Sequence, residues 1–169
     1  MHIDEEYLNL LSTFMSSIDG PTDIAVAGGA IRDMLFEKEV KDIDVFYTGD
    51  ITWIPPSYGA KECFTKYDGC NFTLSHEIPA NGVPGLPVPI QLIKVEDVNK
   101  AIQAFPSNLC KCALFLGDGL AFAAGLLKAA VDKHFDYSLD KMDSDHFKRL
   151  KAKYSDWTWL AVAEPTEVP

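Results

Sequence analysis

Apolar residues near the N-terminus recur at steps of three and four positions, which is the spacing of one helix face. The residues of this stripe are Tyr7, Leu10, Leu11, Phe14, Met15 and Ile18. The pattern predicts an amphipathic helix over about residues 4–18. Asp19-Gly20-Pro21-Thr22 then predicts a turn into the first strand, because glycine and proline end helices.

Shorter apolar runs follow, separated by glycine and proline. They predict a strand at 23–27, a helix at 30–37 and a strand at 42–48 that Gly49-Asp50 breaks, then an irregular loop around Pro55-Pro56. Further on, the pattern predicts strands at about 70–77, 88–95 and 109–116, and helices at about 96–104, 120–134 and 142–153. This order predicts one small α/β (α+β) domain over residues 1–169, a mixed sheet with helices packed on it, and an acidic, proline-containing tail at about 161–169.

Two aspartates stand one residue apart on the predicted strand at 42–48. Residues i and i+2 of a strand point to the same face, so Asp42 and Asp44 project together while Ile43 and Val45 enter the core. Adjacent carboxylates repel each other unless a cation lies between them. Mg²⁺, a hard cation that prefers oxygen ligands and often binds phosphates as well, suits this position, and Mn²⁺ is the alternative.

A glycine pair precedes these aspartates. Gly28-Gly29 ends the apolar strand at 23–27 and opens a helix. Backbone without Cβ can approach a phosphate closely, and a helix N-terminus favours an anion. The two features together predict a site for a metal ion and a nucleoside triphosphate.

The net charge of −10 limits the possible partners. A nucleic-acid backbone is held by clustered Lys and Arg, but the chain has only two arginines, Arg32 and Arg149. The basic run at 148–153 is interpreted as a solvated helix face, so extended nucleic-acid binding is not expected. The acidic N-terminus, the cysteine spacing and the lack of a long apolar run predict a cytoplasmic protein without a membrane span.

The ordered motif Gly-Gly-x-x-Arg-Asp, then Lys-Asp-Ile-Asp-Val, resembles the head domain of the polymerase-beta-type nucleotidyltransferases. It is most similar to the poly(A) polymerase and CCA-adding group and to small single-domain versions in phages and large DNA viruses. The strong part of the likeness covers about residues 23–47, and a weaker part continues to about residue 155.

The resemblance implies a metal-dependent transferase that moves a nucleoside monophosphate from an NTP to an acceptor hydroxyl and releases pyrophosphate. Asp42 and Asp44 would be the catalytic metal ligands, and Gly28 and Gly29 would contact the phosphates. Arg32 would either reach a phosphate or form an ion pair with Asp33 or Asp44, and Lys41 precedes the metal pair as a cofactor-binding or merely solvated residue.

Two departures from the family pattern favour an alternative function. The family usually has a third acidic residue on a neighbouring strand, where this chain places Gln91, which would be a weaker metal ligand through its side-chain carbonyl. Pro106 stands where a further aspartate is common. The alternative is a catalytically impaired nucleotide- or protein-binding member, such as an inhibitor with an acidic surface. The chain also lacks the length for helical RNA-holding domains, so the expected acceptor is a small RNA, a protein or a small molecule.

Overall fold

The computed structural model describes residues 1–67, 71–123, 125–138 and 144–162. The helices are α1 (Glu5–Ser16), α2 (Gly29–Leu35), α3 (Val98–Gln103), α4 (Gly125–Asp132) and α5 (Ser144–Lys153). The strands are β1 (Asp19–Ala27), β2 (Ile43–Trp53), β3 (Lys61–Lys66), β4 (Thr73–Ile78), β5 (Ile90–Lys94), β6 (Cys112–Phe115), β7 (Gly119–Phe122), β8 (His134–Ser138) and β9 (Thr158–Val162).

Seven of the strands form one mixed sheet in the order β3-β4-β5-β2-β1-β6-β7. The pair β2 and β5 is parallel and the other neighbours are antiparallel. A separate two-stranded parallel sheet joins β8 to β9, and α5 connects them along the chain. The mixed sheet with packed helices confirms the predicted fold class.

Each face of the large sheet carries its own hydrophobic cluster. The larger cluster joins α1 and α2 to residues such as Ile43, Val45 and Leu92. The smaller cluster, on the opposite face, joins α3 to Phe46 and Ile93. Alternation along β2 therefore places Asp44 on the face of the smaller cluster, the same face as Phe46.

The predicted break at Gly49-Asp50 is wrong, since β2 continues to Trp53. The strand continues because β1 pairs with it over its whole length, from Asp19 opposite Trp53 to Val26 opposite Val45. Two register shifts in this hairpin accommodate Gly20 and Gly49, both of which have positive φ. A glycine in a strand pattern here marks an irregularity in pairing rather than a strand end.

Several other boundaries differ from the prediction. The predicted helix at 120–134 contains the end of β7, then α4, then the start of β8. The predicted strand at 109–116 begins as a 3₁₀ turn at Asn108–Cys110 before β6. β3 lies in the predicted loop. The predicted tail at 161–169 starts inside β9, and residues 163–169 lie outside the described part of the chain.

Among the helices that the structure describes, none is long and apolar enough to cross a membrane.

Candidate functional site

The glycine pair forms a tight turn between β1 and α2. Gly28 has φ 77° and ψ −127°, a conformation that side chains exclude, and its N–H donates to the Cys112 carbonyl at 3.0 Å. Gly29 begins α2, and a Cβ added there would lie 3.3 Å from Nη2 of Arg32. The turn thus presents bare backbone at the start of a helix, next to a guanidinium group.

The turn and the aspartate pair line the same cavity, which has a volume of about 510 Å³. Asp42 is exposed just before β2, and Asp44 is half-buried within it. Burial, with Asp42 as a smaller cause, raises the pKa of Asp44 to about 7. Two carboxylates in this arrangement favour a proton or a cation between them, so the donor set fits a divalent metal ion.

This pKa shift has a measurable consequence for stability. Without a metal ion, the free energy of unfolding is expected to fall as the pH rises from about 4 to 8. Asp44 keeps its proton to about pH 7 in the folded state, whereas an unfolded aspartate loses it near pH 4, so the folded state binds more protons in this window. In urea unfolding at several pH values, Asp44→Asn should flatten this part of the profile. An equally steep profile in Asp44→Asn would assign the pH dependence to other groups.

Gln91 lies beside the aspartate pair on the neighbouring strand. The parallel register of β2 and β5 sets Gln91 opposite Asp44, and β4 then sets Glu77 opposite Gln91. These three residues therefore form one row on the same face of the sheet. Gln91 does not line the cavity, and its Oε1 accepts a long hydrogen bond of 3.5 Å from the Tyr67 hydroxyl.

The third carboxylate expected of the family is not found beside the pair. Among the described residues, no group of three or more His, Cys, Asp or Glu side chains is arranged to hold a metal ion. Pro106 lines the cavity, whereas Asp97 caps α3 by accepting from the Lys100 N–H at 3.0 Å. Asp118 lies in the turn between β6 and β7, and neither aspartate lines the cavity.

Arg32 is a buried side chain, not a solvent-facing one. Its Nε donates to Oδ1 of Asp33 at 2.9 Å and its Nη1 to Sγ of Cys110 at 3.2 Å. Burial lowers the pKa of Arg32, but Cys110 and Asp33 outweigh that effect and the pKa is raised overall. The ion pair with Asp33 is therefore present, while Nη2 lies beside Gly29 at the cavity wall. Lys41 is exposed and borders the same cavity.

The opposite wall of the cavity comes from α5, which the sequence interpretation missed. His146, Arg149 and Lys153 line the cavity together with Leu150. Arg149 is exposed, as the interpretation of the basic run as a solvated face predicts, whereas Lys153 is half-buried and donates to Asp33. The available signal was the apolar Leu150 within the run, which indicates that one side of this helix packs inward.

The structure allows a direct test of the glycine turn. Gly29→Val is expected to lower ATP affinity at least about tenfold, because a branched side chain would fill the turn and displace Arg32. The fold should persist, since the backbone of Gly29 lies outside the left-handed region. Isothermal titration with ATP, alongside circular dichroism, measures both effects, and Gly29→Ala should give a smaller loss. A folded Gly29→Val protein with wild-type affinity would exclude the turn from the nucleotide site.

Comparison with solved structures places this geometry in a known fold. Over 79% of this chain, the structure is similar to the Thermotoga maritima CCA-adding enzyme complexed with tRNA, with a TM-score of 0.50 and 15% identity. A CCA-adding enzyme in complex with ATP matches 79% of the chain with a TM-score of 0.53 and 14% identity. A complex with CTP matches 80% with a TM-score of 0.51 and 14% identity.

The chain has a nucleotidyltransferase-like fold. It spans only about a third of the length of the enzymes it matches, 33% and 34% of those chains. No protein-family model and no curated protein matches the sequence. The likeness to small phage and viral versions stays a prediction.

Proposed function

We propose that this protein is a metal-dependent nucleotidyltransferase that transfers a nucleoside monophosphate from an NTP to an acceptor hydroxyl. The observation that carries the proposal is one cavity lined by both the glycine turn and the Asp42/Asp44 pair, with the pKa of Asp44 raised to about 7. A carboxylate pair that favours a bound proton or cation lies next to a turn that suits a phosphate, and a metal-bound triphosphate would fit both.

Each wall of the cavity has a distinct part in this proposal. The backbone of Gly28 and Gly29 receives the phosphates, and Nη2 of Arg32 lies beside them. Lys41 and the α5 cations balance the charge of the triphosphate. These groups hold the α-phosphorus in place for attack, which is the larger part of catalysis in phosphoryl transfer.

Asp42 and Asp44 would hold Mg²⁺ or Mn²⁺. When bound, such an ion neutralises phosphate charge and lowers the pKa of an acceptor hydroxyl. The acceptor oxygen bonds to the α-phosphorus, the bond to pyrophosphate breaks so that pyrophosphate leaves, and the acceptor proton passes to solvent water. Because the pKa of Asp44 is raised to about 7, its carboxyl group would lose its proton when the ion binds, and the resulting carboxylate would hold the ion.

The matched enzymes support an NTP as the substrate, since their structures contain ATP and CTP, and one contains tRNA. Because this chain spans only about a third of the length of these enzymes, the acceptor is proposed more broadly as a small RNA, a protein or a small molecule.

The proposed compartment is the cytoplasm. Cys63, Cys110 and Cys112 are free thiols, which supports a reducing compartment of this kind.

A second candidate function is a nucleotide- or protein-binding member of the same fold with little catalysis. The specific observation in its favour is Gln91, a neutral residue in register with Asp44 at the position where a third carboxylate was expected. The net charge of −10 would suit a basic protein partner.

One experiment separates the two functions. The protein is incubated with α-³²P-labelled NTPs, Mg²⁺ or Mn²⁺, and a cell extract as the source of acceptors. The transferase predicts label on an acceptor and release of unlabelled pyrophosphate, both abolished by chelation. Binding of NTP without either product would support the second candidate and contradict the first.

A further inference from the structure

Asp33 is a buried carboxylate with three protein donors. Only 3% of the residue is exposed. Oδ1 accepts from Arg32 Nε at 2.9 Å and from the Tyr154 hydroxyl at 2.8 Å, and Oδ2 accepts from Lys153 Nζ at 2.8 Å. Charge-assisted hydrogen bonds of this kind are the strong ones in proteins.

This carboxylate borders the same cavity as the Asp42/Asp44 pair and is therefore a candidate for a third metal ligand. Both of its oxygens are already held by protein groups, two of them cationic. A metal ion would have to displace Lys153 and Tyr154 to reach it. Asp33 is therefore better suited to holding two parts of the chain together than to binding a metal ion.

The donors come from two separate parts of the chain. Arg32 is the neighbour of Asp33 on α2, whereas Lys153 ends α5 and Tyr154 follows it directly. Lys153 Nζ also donates to the carbonyl of Glu39 at 3.2 Å. The network thus ties the C-terminal end of α5 to the helix that starts at the glycine turn.

Besides this network, α5 packs through a small apolar face and through the ring of Phe147, whose centroid lies 4.8 Å from that of Tyr137 and 5.5 Å from that of Trp159. Between Asp145 and Lys153, only Leu150 is buried, and the other side chains are exposed or half-exposed. The next buried side chain is Tyr154 itself, whose ring packs edge-on against Phe36 and Trp157. Phe147 contacts residues of β8 and β9, whereas the Asp33 network supplies a polar link between α5 and α2.

We propose that Asp33 is a positioning residue that holds α5 beside the nucleotide cavity, so that Arg149 and His146 line this cavity together with the glycine turn. This inference rests on the proposed function for its effect on nucleotide binding. Its structural half, the anchoring of α5, can be tested without any nucleotide.

Tyr154→Phe is the cleanest variant, because it removes one donor to Asp33, keeps the buried ring and changes no residue that lines the cavity. Tyr47→Phe is the matched control. It also removes a buried tyrosine hydroxyl, one that donates to Ser75 Oγ at 2.5 Å on β4 and takes no part in the Asp33 network. Lys148→Met removes an exposed cation from α5 without touching the network. Asp33→Asn removes the charge at the centre of the network.

The first measurement is amide hydrogen exchange of the full chain without nucleotide. Tyr154→Phe and Asp33→Asn are expected to speed exchange in residues 145–153 about tenfold, while Tyr47→Phe and Lys148→Met leave it within about twofold. Unchanged exchange in α5 for both Tyr154→Phe and Asp33→Asn would overturn the proposal.

The second measurement is ATP binding with Mg²⁺, followed by the KM and kcat of label transfer. Tyr154→Phe should raise the Kd and KM for ATP about three- to tenfold and leave kcat within about twofold, because the α5 wall contributes to binding. Faster exchange with an unchanged Kd for ATP would also overturn the proposal, because Asp33 would then anchor α5 without any effect on nucleotide binding. If the wild-type protein binds no ATP, the proposed function fails, and the exchange result still decides whether Asp33 anchors α5.

Discussion

Removing either carboxylate of the cavity, in Asp42→Ala or Asp44→Ala, is expected to lower nucleotidyl transfer on the order of a thousandfold or more. Both side chains line the cavity beside the glycine turn, and the described part of the chain offers no group of three acidic or other metal-ligating side chains. With so few ligands, the loss of one would leave the metal ion without a site. Label transfer at saturating Mg²⁺ and NTP measures the effect.

The same variants should lose the stabilisation by Mg²⁺. A ligand that binds only the folded state raises the Tm, so Mg²⁺ should raise the Tm of the wild-type protein and not that of the variants. Asp50→Ala is the control, because Asp50 is an exposed aspartate of the same strand whose carboxylate pairs with Lys94 away from the cavity. A doubly substituted Asp42→Ala/Asp44→Ala protein with a full Mg²⁺ shift would place the metal ion elsewhere.

The part of the site that the sequence predicted is the part made by near neighbours. Gly28 and Gly29 are separated from Asp42 and Asp44 by one short helix, so strand alternation and turn chemistry suffice to place them. Only the structure shows which glycine of the pair has the positive φ, and it is Gly28.

The wall formed by α5 could not be derived in that way. Lys153 meets Asp33 across 120 residues of chain, and such a contact depends on how β8, α5 and β9 pack against the large sheet. Local composition makes the basic run at 148–153 typical of a solvated helix. The buried Leu150 between Arg149 and Lys151 shows that one side of this helix faces inward.

The choice between two roles for Arg32 also required tertiary structure. The sequence left open a phosphate contact or an ion pair with Asp33 or Asp44. The ion pair with Asp33 is formed, and Sγ of Cys110, 78 residues further along the chain, accepts a hydrogen bond from Nη1 of Arg32.

Strand β3 was not predicted for a different reason. Nearly all of its residues are exposed, so it lacks the apolar alternation that predicts strands.

Gln91→Glu is expected to tighten Mg²⁺ binding about five- to hundredfold, because it adds a carboxylate in register with Asp44. Neighbouring strands lie about 4.8 Å apart, so a glutamate side chain on β5 can lean from the row towards the carboxylate of Asp44. Without metal, the extra negative charge should raise the pKa of Asp44 further and lower the Tm at pH 8.

Mg²⁺ titration followed by the Tm measures the affinity, and Gln103→Glu is the matched control, since it makes the same change at an exposed position at the end of α3. The turnover then separates the two candidate functions. In a transferase adapted to two carboxylates, tighter metal binding should leave transfer unchanged or slower, whereas in an impaired member transfer should appear or rise. If Gln91→Glu and Gln103→Glu have the same Mg²⁺ affinity as the wild-type protein, Gln91 is not at the position of a third ligand, and the argument for an impaired site loses its main support.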